Sequence, residues 1–126
     1  MTRVFLPRGP RFEGLAAALE EAGFEPVPSE GPLPVPPARF PPRPFAAVVP
    51  PQGLEPWRRL APSRRRRVVV TAVVPEGRTA DPLTALGLGV NLVVAEADLA
   101  RLPQLLRAAV ADHLRLVALL EPELAR

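Results

Sequence analysis

The chain has 126 residues, 48% of them hydrophobic, a formal charge of +3 and no cysteine. That length suits one domain with its own core, and the apolar content argues against wholesale disorder. The missing cysteine excludes disulfides, thiolate nucleophiles and zinc–thiolate sites together.

All 16 basic residues are arginine, 19 residues are proline, and lysine, isoleucine and tyrosine never occur. This bias fits a GC-rich genome, and abundant loop proline with few amide side chains also fits a thermophile. Arg3 is followed by only three apolar residues before Pro7. Such a run is too short for a signal core or a membrane span, so a cytoplasmic protein without membrane contact is expected.

In chain order, Thr2–Leu6 reads as a strand stopped by Pro7. From Arg11 the period turns helical, with Phe12, Leu15, Ala16, Leu19 and Ala22 on one face and Gly23 placed to cap the end. Residues 24–27 read as a second strand. Residues 31–44 hold Pro32, Pro34, Pro36, Pro37, Pro41, Pro42 and Pro44, which forbid a regular helix. A stiff, extended loop is expected there, in place of the second crossover helix of a five-fold β/α domain.

Phe45–Val49 is a continuous apolar run, as in a parallel strand buried on both faces. Residues 54–60 suit a short helix with Pro56 in its first turn. A strand over 68–72 follows, and Asp81 then caps a short helix with Pro82 at its first position. Residues 90–95 form the fifth strand. Asp98 or Leu102 opens a last helix that carries Pro103 in its first turn and runs to about Leu120. Strands alternating with helical or helix-replacing segments predict a single α/β domain of flavodoxin-like type, with a parallel sheet covered on both faces.

The second half carries a family pattern. Val68-Val69-Val70-Thr71-Ala72 is followed by Ala85-Leu86-Gly87-Leu88-Gly89, then Val90-Asn91-Leu92-Val93-Val94 and the helix opened near Asp98. This order resembles the second half of response-regulator receiver domains. The resemblance implies a phosphorylation pocket with an acid pair after the first strand, an aspartate after the third, a hydroxyl on the fourth and a lysine on the fifth. Those carboxylates would hold the metal and accept the phosphoryl group. Here the matching positions are Pro7 and Arg8, Pro50, Thr71 and Ala95, and Leu92 takes the aromatic switch position.

Only Thr71 keeps its type, so the resemblance implies a degenerate receiver: no catalysis, no cofactor and no metal, but a phosphorylation-independent interaction module. The start at Arg3 and the stretch from Arg78 to Leu92 also look like one half-domain of uroporphyrinogen-III synthase. That likeness implies a single-domain relative that would need a second copy to close a ligand cleft.

Four further groups bear on function. Trp57, Arg58 and Arg59 precede Arg64, Arg65, Arg66 and Arg67; guanidinium forks suit phosphate and an indole can stack on a base, so nucleic-acid contact is the alternative reading. Glu76, Asp81, Glu96 and Asp98 would form an acidic rim at the strand ends, with helix capping by Asp81 and Asp98 as the simpler account. The proline stretch with Arg39 and Arg43 matches ligands of proline-recognition domains, or else a rigid surface loop.

The last group is the helix itself. Its core stripe is Leu102, Leu105, Leu106, Ala109, Val110, Leu114 and Val117, leaving Leu116, Leu119 and Leu120 in excess. With Arg107 and His113 these define an expected surface for a protein partner or a homodimer. The bland alternative is that the proline loop folds over them.

Overall fold

The computed structural model describes residues 1–120. Five strands form one parallel sheet in the order β2-β1-β3-β4-β5, a flavodoxin-like arrangement. The strands are β1 (Thr2–Leu6), β2 (Phe24–Pro28), β3 (Phe45–Val49), β4 (Val68–Val74) and β5 (Leu92–Ala95). Every residue of β3, β4 and β5 is buried, which is why these segments are continuous apolar runs rather than alternating ones.

Helices α1 (Pro10–Glu21) and α5 (Leu102–Leu120) cover one face. Phe12, Leu15 and Leu19 of α1 and Leu102, Leu106 and Val110 of α5 pack there on Val48, Val69 and Val94. The other face carries α2 (Leu54–Arg58), α4 (Pro82–Leu88) and the proline segment, with α3 (Pro62–Arg65) leading into β4. Leu54, Trp57 and Ala85 are buried there against Phe45, Val70 and Val93.

The proline segment therefore lies on the face opposite α5 and does not fold over the leucines of that helix. It works as a strap. The Trp57 indole donates from Nε1 to the Pro34 carbonyl at 3.1 Å, and the Arg67 guanidinium donates to the Pro41 carbonyl. Phe40 meets Phe45 edge-on at 5.3 Å, and the Arg64 guanidinium stands 5.4 Å over the Phe40 ring. Gly53 leaves room for the strap, since a Cβ there would sit 3.1 Å from Val49 Cγ1 and 3.4 Å from Leu33 Cδ1. Pro34 is buried and Pro37 half-buried, while Pro32, Arg39, Pro42 and Arg43 are exposed.

Both edges of the sheet are closed. At β2, Ser29 N donates to Leu6 O at 2.9 Å. By alternation Glu25 and Val27 share that side, and Pro26 and Pro28, which lack N–H groups, line the free edge. At β5, Ala80 N donates to Val93 O at 2.7 Å, and Ala95 N donates to Thr79 Oγ1 at 3.0 Å. Neither edge offers a free row of donors for strand addition.

Three boundaries differ from the sequence expectation by more than a residue, and the last helix takes the second of its two expected starts. β4 runs on to Val74, which leaves Thr71 in mid-strand. β5 begins at Leu92 because Asn91 Oδ1 accepts from Val70 N at 2.9 Å, a side chain standing in for a ladder carbonyl. α2 ends at Arg58, and α3, whose first position is Pro62, was not foreseen. Asp98 does not cap the last helix; it lies in a 3₁₀ turn over Glu96–Arg101 with φ −107° and ψ 15°, and α5 starts at Leu102. Asp81 does cap α4, accepting from Leu83 N at 3.3 Å, and Gly89 ends that helix at φ 71°.

Candidate functional site

Of the receiver-type positions, Pro7, Pro50 and Ala95 stand at the carboxyl ends of β1, β3 and β5, whereas Thr71 lies in mid-strand. Pro7 and Pro50 follow β1 and β3 directly, Pro28 ends β2 and Pro75 follows β4, so four of the five strands finish on a residue without an N–H. On this fold, backbone donors at strand ends are what cradle a phosphate, and proline removes them. Arg8 donates to Ser29 O instead of facing the centre of the sheet end. Ala95 pairs with Val74.

Thr71 is 0% exposed and pairs with Val48 and Leu92, three residues short of the end of β4. Its hydroxyl is buried without a hydrogen-bond partner among the described residues. It belongs to the core, not to the strand ends. An ion pair between Arg11 and Glu96 ties the start of α1 to the end of β5 instead.

The arginine cluster is largely spent on holding the fold. Trp57 is 0% exposed, so its ring has no face to offer a base. Arg65 donates to Val68 O at 2.8 Å, Gly89 O at 3.2 Å and Asn91 Oδ1 at 2.8 Å, pinning the amino-terminal ends of β4 and β5. Burial pulls the Arg65 guanidinium below its ordinary pKa, because removal from water disfavours the charged form. Arg67 holds the strap. Arg58 and Arg59 reach Glu55 at 3.7 and 3.0 Å. Arg64 and Arg66 stay exposed on the surface. The nucleic-acid reading thereby loses its stacking residue and two of its forks. A run of charges in sequence could not reveal this, because the acceptors are carbonyls of distant segments.

Of the acidic residues, Asp81 and Asp98 line one concavity at the strand ends, and each is engaged with neighbouring groups. Glu96 is paired with Arg11, Asp98 accepts from the Thr79 hydroxyl, and Asp81 accepts from Leu83 N and Thr84 Oγ1. The sequence reading missed Thr79, which joins the loop after β4 to both β5 and Asp98.

On α5 the expected division holds. Leu102, Leu106, Val110 and Val117 are buried, while Leu116, Leu119 and Leu120 are 55%, 83% and 55% exposed. Arg107 is exposed more than two turns earlier on the same helix, away from these leucines. His113 is half-buried with Nε2 against the Arg66 carbonyl. A carbonyl only accepts, so that nitrogen is the donor and the histidine acts as a tie between α5 and the loop before β4. Two more leucines, Leu83 and Leu86, are exposed on α4 across the β5 edge. No helix among the described residues is long and apolar enough to cross a membrane. Comparison with known proteins gives no match to a family model, a curated protein or a solved structure.

Proposed function

We propose that the chain is a non-catalytic, receiver-like interaction module that works without phosphorylation and binds a protein partner or a second copy through α5. The observation that carries this reading is the leucine surface of Leu116, Leu119 and Leu120 on a helix whose other face is fully used by the core. With Pro26 and Pro28 on one sheet edge and Thr79 and Ala80 on the other, strand addition is closed as a route to association. A helix face is what remains. The prolines at the strand ends support the non-catalytic part of the proposal, since they replace the donors and carboxylates that phosphoryl chemistry needs.

A photo-reactive benzoylphenylalanine at Leu119 tests this, irradiated in source-cell extract treated with nuclease and also with purified chain. The expected result is one discrete cross-linked product, either a dimer or a one-to-one complex, that disappears when Leu116→Glu is added. No product, or the same products from the probe placed at Glu13, would overturn the proposal. A product that requires intact nucleic acid would shift the function to Arg64 and Arg66.

A further inference from the structure

We propose that the concavity between the loop after β4 and the turn after β5 binds a small oxyanion, a phosphate monoester or a carboxylate, through Arg78 and Arg101. This goes beyond the interaction reading and does not depend on it. The concavity is shallow and open to solvent, offers about 540 Å³ and is lined by Arg78, Thr79, Asp81, Asp98 and Arg101 among others. It lies outside the carboxyl ends of β4 and β5, the side on which open parallel sheets take their ligands.

The charges in it are unequally spent. Asp81 uses Oδ1 on Leu83 N at 3.3 Å and Oδ2 on the Thr84 hydroxyl at 2.8 Å. Asp98 accepts from the Thr79 hydroxyl. The Arg78 carbonyl accepts from Asp81 N at 3.4 Å, but its guanidinium makes no hydrogen bond or ion pair among the described residues. Among the described residues Arg101 reaches only Asp98 Oδ2, at 3.9 Å, which leaves most of its fork without an acceptor there. Two guanidinia with unspent donors thus share a concave surface with Asp81, both of whose carboxylate oxygens accept hydrogen bonds, and with Asp98, whose Oδ2 does. The complement of that arrangement is an anion with two or more oxygens, the shape a guanidinium fork matches.

The floor is fixed before any ligand arrives. Thr79 Oγ1 accepts from Ala95 N at 3.0 Å while donating to Asp98, and Ala80 N donates to Val93 O at 2.7 Å. These bonds hold Ala80 at φ 61°, a left-handed conformation that residues with a Cβ seldom keep. The loop that carries Arg78 is therefore bound to the edge strand, and little ordering remains to be done on binding.

Isothermal titration with inorganic phosphate, and separately with acetate, at constant ionic strength set by chloride, tests the proposal on the whole chain. Saturable binding is expected, weakened about tenfold or more by Arg78→Gln and by Arg101→Gln, and unchanged by Arg3→Gln at the opposite end of the sheet. Saturation by phosphate alone assigns phosphate monoesters; saturation by acetate as well assigns carboxylates. The Arg78 side chain has no partner among the described residues, so Arg78→Gln is expected to keep the wild-type melting curve and its titration reads binding alone. Absence of saturation, or an affinity for phosphate equal in wild type and Arg78→Gln, overturns the site.

Discussion

The two faces of the sheet are covered by different physics. On one face α1 and α5 satisfy their own backbone groups and need only apolar contact, supplied by residues such as Leu19 and Leu106. On the other face a proline segment has few N–H groups, and its carbonyls depend on donors lent by other elements, Trp57 Nε1 to Pro34 O and Arg67 to Pro41 O. The proline strap loses little entropy on folding because its φ angles are preset. The cost is dependence: its anchorage is concentrated in a few side chains, whereas a helix distributes it along the whole ladder.

That difference predicts where the fold breaks most easily. Trp57→Ala removes a fully buried ring and the donor to Pro34 O together, and should cost about 3–5 kcal/mol in denaturant unfolding. Trp57→Phe keeps most of the packing and loses the donor, so about 1–2 kcal/mol is expected. If Trp57→Phe were neutral, the indole bond would not anchor the strap, and the two faces would differ only in appearance. A second test concerns Arg65, which ties β4 to β5 through three oxygens. Arg65→Met should cost about 2 kcal/mol by leaving partly buried acceptors unmatched. Arg65→Lys should restore little, because one ammonium cannot span the fork. Equal stability of wild type and Arg65→Met would return this arginine to the solvated charge run it resembles in sequence.

These tests also mark what the sequence could and could not show. The strands were legible because β-branched or apolar runs ended on proline, and α1 because its period was unbroken from Phe12 to Ala22. The replacement of the second helix followed directly from seven prolines between residues 31 and 44. What stayed hidden were the long-range acceptors. Nothing local to Arg64-Arg65-Arg66-Arg67 tells a fork that binds Asn91 from one that faces water, and nothing near Trp57 points to Pro34. The length of β4 was hidden for a simpler reason: Thr71-Ala72 looked like a strand end, although Val73 and Val74 continue the apolar run up to Pro75.

The smallest expected effect lies on the helical face and has the opposite sign. Thr71 is the residue that best kept its type in the receiver-like pattern, yet its hydroxyl is buried at mid-strand without a partner among the described residues. By alternation with Val69 and Val73 it points toward α1 and α5, into apolar surroundings. A hydroxyl withdrawn from water and left unpaired costs about 1–3 kcal/mol, and valine has nearly the same shape without that cost. Thr71→Val should therefore stabilise the chain by about 1 kcal/mol, seen as a rise of about 4 °C in the melting midpoint. A helix-covered face, needing only apolar contact, gains from losing a polar atom, whereas the strap face is expected to lose stability wherever a polar donor is removed. Destabilisation by Thr71→Val would mean that the hydroxyl has an acceptor in solution, and the contrast between the faces would then fail at the one residue where a polar group sits beneath the helices.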